Sequence, residues 1–286
     1  MDISTLRRQL TEELRGAWGD EATSLVRSLM CDELGIGLTE LIMRDRDELG
    51  AVEVASFREK AKRLERREPL QYVTGRAMFC GHTFHVERGV LIPRPETEEL
   101  VEQVVETAKD MRVVKIMDIG TGSGCIAISV KKALGEKAEV TGIDVSEEAL
   151  AIARNNAERL GADVIMKKCD ILHETPVGNQ YDIVVSNPPY VRESERAGMT
   201  ADVLDYEPWL ALFVSDEDPL IFYREIAIRC REGLLRQGGE LLFEINEVMG
   251  EAMVVMLGDE GYEEVKVIVD YTGRERMVRA KLKTEK

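Results

Sequence analysis

Between residues 113 and 186 the chain alternates apolar runs, at 113–119, 138–144, 164–169 and 181–186, with helix-like stretches such as Ile126 to Leu134. Strands joined by helix-length crossovers pair in parallel, and a parallel sheet needs cover on both faces. The order therefore predicts an α/β fold, a sheet wound with helices on both sides. Residues 240–245, 265–269 and 277–282 also read as strands, with little or no helix between the last two. An antiparallel pair is expected to close the sheet.

Upstream the period changes. From Ile3 to about Arg67 apolar residues recur every three or four positions, as in Leu6, Leu10, Leu14, Leu25 and Leu29, which predicts a small helical domain. Short β-type stretches follow, Met78-Phe79 and Thr83 to Val86, with a turn at Glu87-Arg88-Gly89 before Val90-Leu91-Ile92. Pro93 and Pro95 then precede Glu96, Glu98 and Glu99, the proline and acids of a helix start. The expected organisation is a helical domain over 1–75, a β-hairpin linker over 76–94 and the α/β domain over 95–286.

Composition narrows the function classes. Hydrophobic residues make up 44% and charged residues 32% of 286, as in soluble globular proteins. The net charge of −16 repels phosphate backbones, so direct binding to nucleic acid is not expected. The basic stretch Lys62 to Arg67 alternates with Glu65 and Glu68 and reads as a solvated helix face. Met1 to Thr5 lacks a basic, apolar leader, and no apolar run approaches a membrane span, so the expected location is cytoplasmic with no membrane partner. Five scattered cysteines without a Cys-x-x-Cys pair read as reduced thiols. Cys80, His82 and His85 fall on the hairpin spacing and lack a further ligand, so no metal is expected.

Chemistry enters at Asp118-Ile119-Gly120-Thr121-Gly122-Ser123-Gly124, between a strand and a helix. Glycines there let backbone approach a ligand, and free amides at the helix start face it. Asp144 ends the next strand, where an acid can accept from both hydroxyls of a ribose. Together they indicate an adenosine-containing cofactor. The spacing Gly-x-Gly-x-Gly is not the pyrophosphate-binding Gly-x-Gly-x-x-Gly, and suits a cofactor with an amino-acid tail and no phosphate. S-adenosylmethionine fits. Asp170 and Ile171, after the following strand, are placed to border an adenine.

Ser186-Asn187-Pro188-Pro189-Tyr190 follows the apolar strand 183–185. Two prolines cannot continue a central strand, so the chain leaves the sheet at its carboxyl edge, where ligands bind in open α/β sheets. A planar amide nitrogen is a poor nucleophile because its lone pair is delocalised. The Asn187 side-chain oxygen and the Pro188 carbonyl can each accept a hydrogen from an NH2 group, leaving its lone pair facing a methyl sulfonium. Tyr190 offers a wall on which a planar amide, or a base, could stack.

These motifs, with Pro69-Leu70-Gln71-Tyr72-Val73-Thr74-Gly75 and Leu91-Ile92-Pro93-Arg94-Pro95-Glu96-Thr97-Glu98, resemble the release-factor glutamine N5-methyltransferases, the HemK or PrmC family. The resemblance runs from about residue 10 to the end. It implies a Rossmann-like S-adenosylmethionine-dependent methyltransferase that methylates the Gly-Gly-Gln glutamine of class I peptide-chain release factors in translation termination. It further implies that Gly120, Thr121, Gly122, Ser123, Gly124, Asp144 and Asn187 contact the cofactor and that Asn187, Pro188, Pro189 and Tyr190 hold the glutamine. Ile171 matches a cofactor-contacting position of variable identity. Ser215 to Leu220 stands where many relatives have a glycine-rich segment, and Asn246 replaces a common glycine after Glu244-Ile245.

On this reading the chain is a monomeric enzyme whose N-terminal helices recognise the protein substrate. Two alternatives stay open. Asn-Pro-Pro-Tyr also suits the exocyclic amine of a flipped adenine, although the acidic charge opposes it. A non-catalytic cofactor-binding module is the other. His173 is available as a base but not required, and Trp18 and Trp209 are expected to pack.

Overall fold

The computed structural model describes residues 1–176 and 180–284. It divides into two compact units.

The first unit comprises Met1–Arg76 with two later segments, Val86–Arg88 and Met199–Tyr206. Its helices are α1 (Ile3–Trp18), α2 (Ala22–Leu34), α3 (Leu38–Met43), α4 (Ala51–Glu65) and α5 (Leu70–Thr74). The Asp2 carboxylate caps α1 by accepting from Thr5 N at 2.8 Å. The apolar period becomes a core in which Leu6, Leu10 and Leu14 meet Val26, Leu29, Phe57 and Leu64. Trp18 packs as expected and donates from Nε1 to Leu64 O at 2.7 Å. The basic stretch is only partly a solvated face. Arg63 makes a two-point ion pair with Glu68, and the Arg67 guanidinium lies 4.2 Å over the Trp18 ring.

The second unit begins with the hairpin β1 (Arg76–Phe79) and β2 (His82–His85), Arg76 itself belonging to the first. Val90 to Ile92 do not extend the hairpin: Gly89 turns at φ +109°, and Ile92 N donates to the Glu207 carboxylate at 3.2 Å instead of a neighbouring strand. Then come α6 (Pro95–Ala108), β3 (Val114–Ile119), α7 (Cys125–Leu134), β4 (Ala138–Asp144), α8 (Glu147–Leu160), β5 (Val164–Lys168) and β6 (Tyr181–Ser186). After β6 follow β7 (Val191–Arg192), α9 (Ala201–Tyr206, part of the first unit), α10 (Trp209–Leu212), β8 (Phe213–Val214) and α11 (Ile221–Arg229). The chain ends on β9 (Leu235–Glu244), α12 (Gly250–Asp259), β10 (Tyr262–Val269) and β11 (Glu275–Leu282).

Seven strands form one sheet in the order β10-β11-β9-β6-β3-β4-β5. The five from β9 to β5 are parallel, and β11 and β10 add antiparallel. This is the Rossmann-like sheet with antiparallel closing strands that the sequence implied. Its two faces carry separate apolar layers, Met117, Val184 and Phe243 with Tyr223 and Ile226 of α11 on one side, and Ile116, Ile183 and Val185 with α6 and α7 on the other. Burial on both sides explains why these strands are continuously apolar. Among the described residues no helix is long and apolar enough to cross a membrane.

After β3 the chain winds outward through β4 and β5, then returns to place β6 on the opposite side of β3. Such a reversal leaves a crevice beyond the carboxyl ends of the two strands. Ile119 is in register with Ile143 on one side and Ser186 on the other, so three successive strand ends deliver the glycine turn, Asp144 and Asn187 to one edge.

Candidate active site

The glycine turn is seated on β4. Gly120 N and Thr121 N both donate to Ile143 O at 2.9 Å. Gly122 stands at φ +54° with open space where a Cβ would project, so backbone is what the turn presents there. Ser123 is buried, and its carbonyl accepts from Asn156 Nδ2 at 2.9 Å. Gly124, at φ +81°, leads into α7 and has no such freedom, since a Cβ would come within 2.9 Å of Ile128 Cδ1. Gly142 on β4 serves the same seat, as a Cβ there would stand 2.8 Å from Thr121 Oγ1. Sequence reasoning missed Gly142, whose only signal is a glycine inside a strand.

Asp144 spends one oxygen on the turn and one on the next helix. Its Oδ2 accepts from Gly122 N and its Oδ1 from Ser146 N, both at 2.9 Å. Burial raises its carboxyl above the usual range against those bonds.

Asp118 opens the glycine motif, where the sequence by itself points to no role for it. It is fully buried; Oδ2 accepts from Thr121 Oγ1 at 2.6 Å and Ala127 N at 3.2 Å, while Oδ1 has no partner among the described residues. Burial pushes its carboxyl up to about 7. Most of the turn's amides are committed within the fold, Gly120 and Thr121 to Ile143, Gly122 to Asp144 and Gly124 to Thr121 O at 2.8 Å, so the free amides that the sequence led one to expect there are largely taken. The orphaned acceptor of Asp118 beneath the turn fits an ammonium-bearing tail, and Asp144 beside it fits hydroxyls. The residues present therefore fit S-adenosylmethionine.

Asp170 and Ile171 follow β5, anchored where Cys169 N donates to Asp144 O at 3.0 Å. Ile171 is buried in the sheet core with Ile119 and Ile143. Asp170 uses Oδ1 on Leu172 N at 3.1 Å and Oδ2 on the exposed His173 ring at 2.9 Å. It is engaged by its own turn.

At the end of β6, Ser186 donates from Oγ to Ile119 O at 2.7 Å, and Asn187-Pro188-Pro189-Tyr190 leaves the sheet. Pro188 is buried and Pro189 half-buried. Asn187 donates from Nδ2 to Thr97 Oγ1 at 3.3 Å, whereas its Oδ1 accepts no bond among the described residues. Thr97 donates to Glu244 Oε2 at 2.7 Å, and the Tyr190 hydroxyl donates to Glu244 Oε1 at 3.0 Å. The Tyr223 hydroxyl donates to the Glu244 backbone carbonyl at 3.0 Å. Burial raises the Glu244 carboxyl, with the bonds from Thr97 and Tyr190 and the nearby Arg276 charge opposing it. Thr97 lies inside the Leu91 to Glu98 motif and Glu244 within the strand expected over 240–245, yet neither position marks itself as a site residue, because their link spans elements far apart in sequence.

The departures from the family pattern are accommodated locally. Asn246 donates from Nδ2 to Glu195 Oε2 at 3.1 Å and accepts from Val248 N at 3.2 Å. Asp218 forms a two-point pair with Arg224. Trp209 packs on one face only: its ring is stacked with centroids 4.1 Å from that of Phe213, and the residue is 47% exposed. Cys80 and His82 line a different groove of about 460 Å³ with Glu98, Glu102 and Ser129.

Residues 111–242 match the methyltransferase domain family, and residues 5–75 match the PrmC N-terminal domain family. The chain is 48% identical over 262 residues to the release factor glutamine methyltransferase of Bacteroides thetaiotaomicron, covering 91% of this chain and 93% of the relative. Its counterpart in Flavobacterium psychrophilum is 40% identical over 84% of this chain and 85% of its own length. That of Leptospira interrogans is 34% identical over 96% of both chains.

Proposed function

Because the chain belongs to the release factor glutamine methyltransferase family, we propose that it methylates the side-chain amide nitrogen, N5, of the Gly-Gly-Gln glutamine of class I peptide-chain release factors. S-adenosylmethionine supplies an electrophilic methyl group on a sulfonium. Gly120 to Gly124 and Asp144 would hold it, with the unpartnered Asp118 carboxylate oxygen available to its amino group and Asp170 and Ile171 at the adenine end.

The observation that carries this reading is the divided state of Asn187, whose NH2 is engaged by Thr97 while its oxygen is left open at the carboxyl edge beside the glycine turn. An open acceptor there, with the Pro188 carbonyl, can take both hydrogens of a primary amide. The nitrogen lone pair is then directed out of the amide plane. Transfer of the methyl group to nitrogen would leave S-adenosylhomocysteine, and the amide nitrogen, strongly acidic once methylated, would give its proton to water. What the protein contributes is alignment and hydrogen bonds that strengthen as charge develops on nitrogen. Tyr190, its hydroxyl tethered to Glu244, presents its ring as the wall.

Residues 1–75 are assigned to recognition of the release factor. The reading is supported by the match to the PrmC N-terminal domain family and by the exposed side chains Leu38, Ile42, Met43 and Val52.

Mass spectrometry of purified release factor after incubation with enzyme and cofactor tests the function. One added methyl on the Gly-Gly-Gln glutamine is expected. Unmodified release factor alongside labelled DNA or RNA would overturn it in favour of an adenine methyltransferase.

A further inference from the structure

The two ends of a carboxamide have nearly the same shape but opposite hydrogen-bonding character. Whatever fixes Asn187 therefore decides whether it accepts from or donates to a substrate in front of it. The fixing groups lie on other elements. Thr97, in the first turn of α6, is 3% exposed, and Glu244, the last residue of β9, is 1% exposed.

A threonine hydroxyl has a single hydrogen, and that of Thr97 is committed to Glu244 Oε2 at 2.7 Å. An ionised carboxylate only accepts, and the other oxygen of Glu244 is taken by the Tyr190 hydroxyl at 3.0 Å. Thr97 is left with lone pairs to offer Asn187. These select the NH2 end, found at 3.3 Å, and turn Oδ1 away from Thr97. Were Thr97 free to donate, either end of the amide would satisfy it.

A buried carboxylate is also an expensive way to tie β9 to α6. Removing an ion from water is costly before its partners offset it, and an apolar pair of similar volume usually serves stability as well or better. A role in orientation accounts for retaining it. The same carboxylate holds Asn187, through Thr97, and the Tyr190 ring directly.

We propose that Thr97, its hydroxyl hydrogen held by Glu244, is a positioning residue that sets the amide orientation of Asn187 for methyl transfer. The proposal rests on the methyl-transfer reading above. Neither Thr97 nor Glu244 touches the reacting atoms; they act through Asn187 and Tyr190.

Three variants test it in the full-length enzyme, by single-turnover transfer to release factor at saturating cofactor. Thr97→Val keeps the shape and removes the hydroxyl. It should slow transfer about tenfold or more, with S-adenosylhomocysteine affinity and the KM for release factor changing less than about threefold. Thr97→Ser restores the hydroxyl and should recover most of that loss. Glu244→Gln is the second probe, since it offers one acceptor oxygen where the carboxylate offers two, and it should also slow transfer.

The second measurement needs no substrate. The side-chain NH2 signal of Asn187 in ¹⁵N-labelled protein, identified by its loss in Asn187→Ala, should move in Thr97→Val and stay near its wild-type position in Thr97→Ser. Wild-type-like transfer by Thr97→Val, or a serine variant as slow as valine, would overturn the positioning role. An Asn187 signal that responds as described in an enzyme that leaves release factor unmethylated would support the orientation of Asn187 and overturn the assigned substrate.

Discussion

Gly122 donates its backbone N–H to Asp144 Oδ2 at 2.9 Å, so the residue proposed to receive a ribose also holds the glycine turn in shape. Asp144→Ala removes that bond and the one from Ser146 together with any bonds to ligand hydroxyls. We expect S-adenosylhomocysteine binding to weaken by about 2–4 kcal/mol, roughly a hundredfold, since bonds to a charged acceptor contribute about 1.5–3 kcal/mol each. Calorimetry reads this directly. An unchanged dissociation constant would remove Asp144 from the cofactor site.

Gly142 and Gly258 should respond to alanine with opposite sign. At Gly142 the new Cβ would stand 2.8 Å from both Thr121 Oγ1 and Met166 Sδ, forcing the turn off its seat. Overpacking of this kind costs about 1–3 kcal/mol, and cofactor affinity should fall with it. At the exposed helical Gly258 nothing lies within 4 Å, so alanine should stabilise by about 0.5–1 kcal/mol through helix propensity. Thermal melts of the two variants settle the comparison; a destabilised Gly258→Ala or an unaffected Gly142→Ala contradicts it.

Asp118 should imprint a pH dependence on the ligand-free enzyme. Its carboxyl is raised to about 7 by burial, from an ordinary value near 4 in the unfolded chain. Folding then takes up a proton between these values, so the contribution of this group is fully present below about pH 4 and is lost progressively as pH approaches 7. Asp118→Asn has no such titration. The melting temperature of the variant relative to wild type should therefore rise from pH 5 to pH 7 and level off above it. The variant should also gain less stability from S-adenosylhomocysteine, because Oδ1 no longer offers a negative charge to the amino group. A relative melting temperature flat across that range would mean that Asp118 is ionised throughout.

Much of the sheet was legible because burial on both faces leaves an unbroken apolar run, and β4 and β6 begin and end where their runs do. β9 was harder. It starts at Leu235, but Arg236, Gln237, Gly238 and Gly239 conceal its first half, and the register against β6 is irregular there. β10 likewise starts at Tyr262, with Glu264 at φ +52° beside a break in register. The placement of Gly120 to Gly124, Asp144 and Asn187 at one sheet edge could be read because each ends or follows an apolar strand. Thr97 and Glu244 could not, since their link joins α6 to β9 across 147 positions and leaves no local spacing to find. Gly142 shows its purpose only when the Thr121 side chain is placed against it.

Asn187 separates binding from chemistry. Asn187→Ala should leave much of the cofactor affinity intact, because the residue is assigned mainly to the reacting nitrogen. Loss of one preorganised hydrogen bond at a developing charge costs about 2.7–4 kcal/mol, or roughly 10²–10³ in kcat. Asn187→Asp is the more discriminating variant. A carboxylate cannot donate to Thr97, whose hydrogen is committed to Glu244, so at neutral pH two carboxylates would compete for one hydroxyl. The aspartate variant should then be no faster than alanine. Protonation reverses this, because a neutral carboxyl can donate from one oxygen to Thr97 and accept at the other, as asparagine does. The Glu244 carboxylate behind Thr97 and the half-buried position of residue 187 should both raise a carboxyl there, so the gain should come as pH falls toward the weakly acid range. Single-turnover rates of the two variants, each taken relative to wild type at the same pH, should diverge in favour of aspartate below about pH 6, near where a raised carboxyl titrates. Parallel profiles would show that the Thr97 contact does not orient residue 187, and an alanine variant within about threefold of wild type would show that Asn187 does not carry the chemistry.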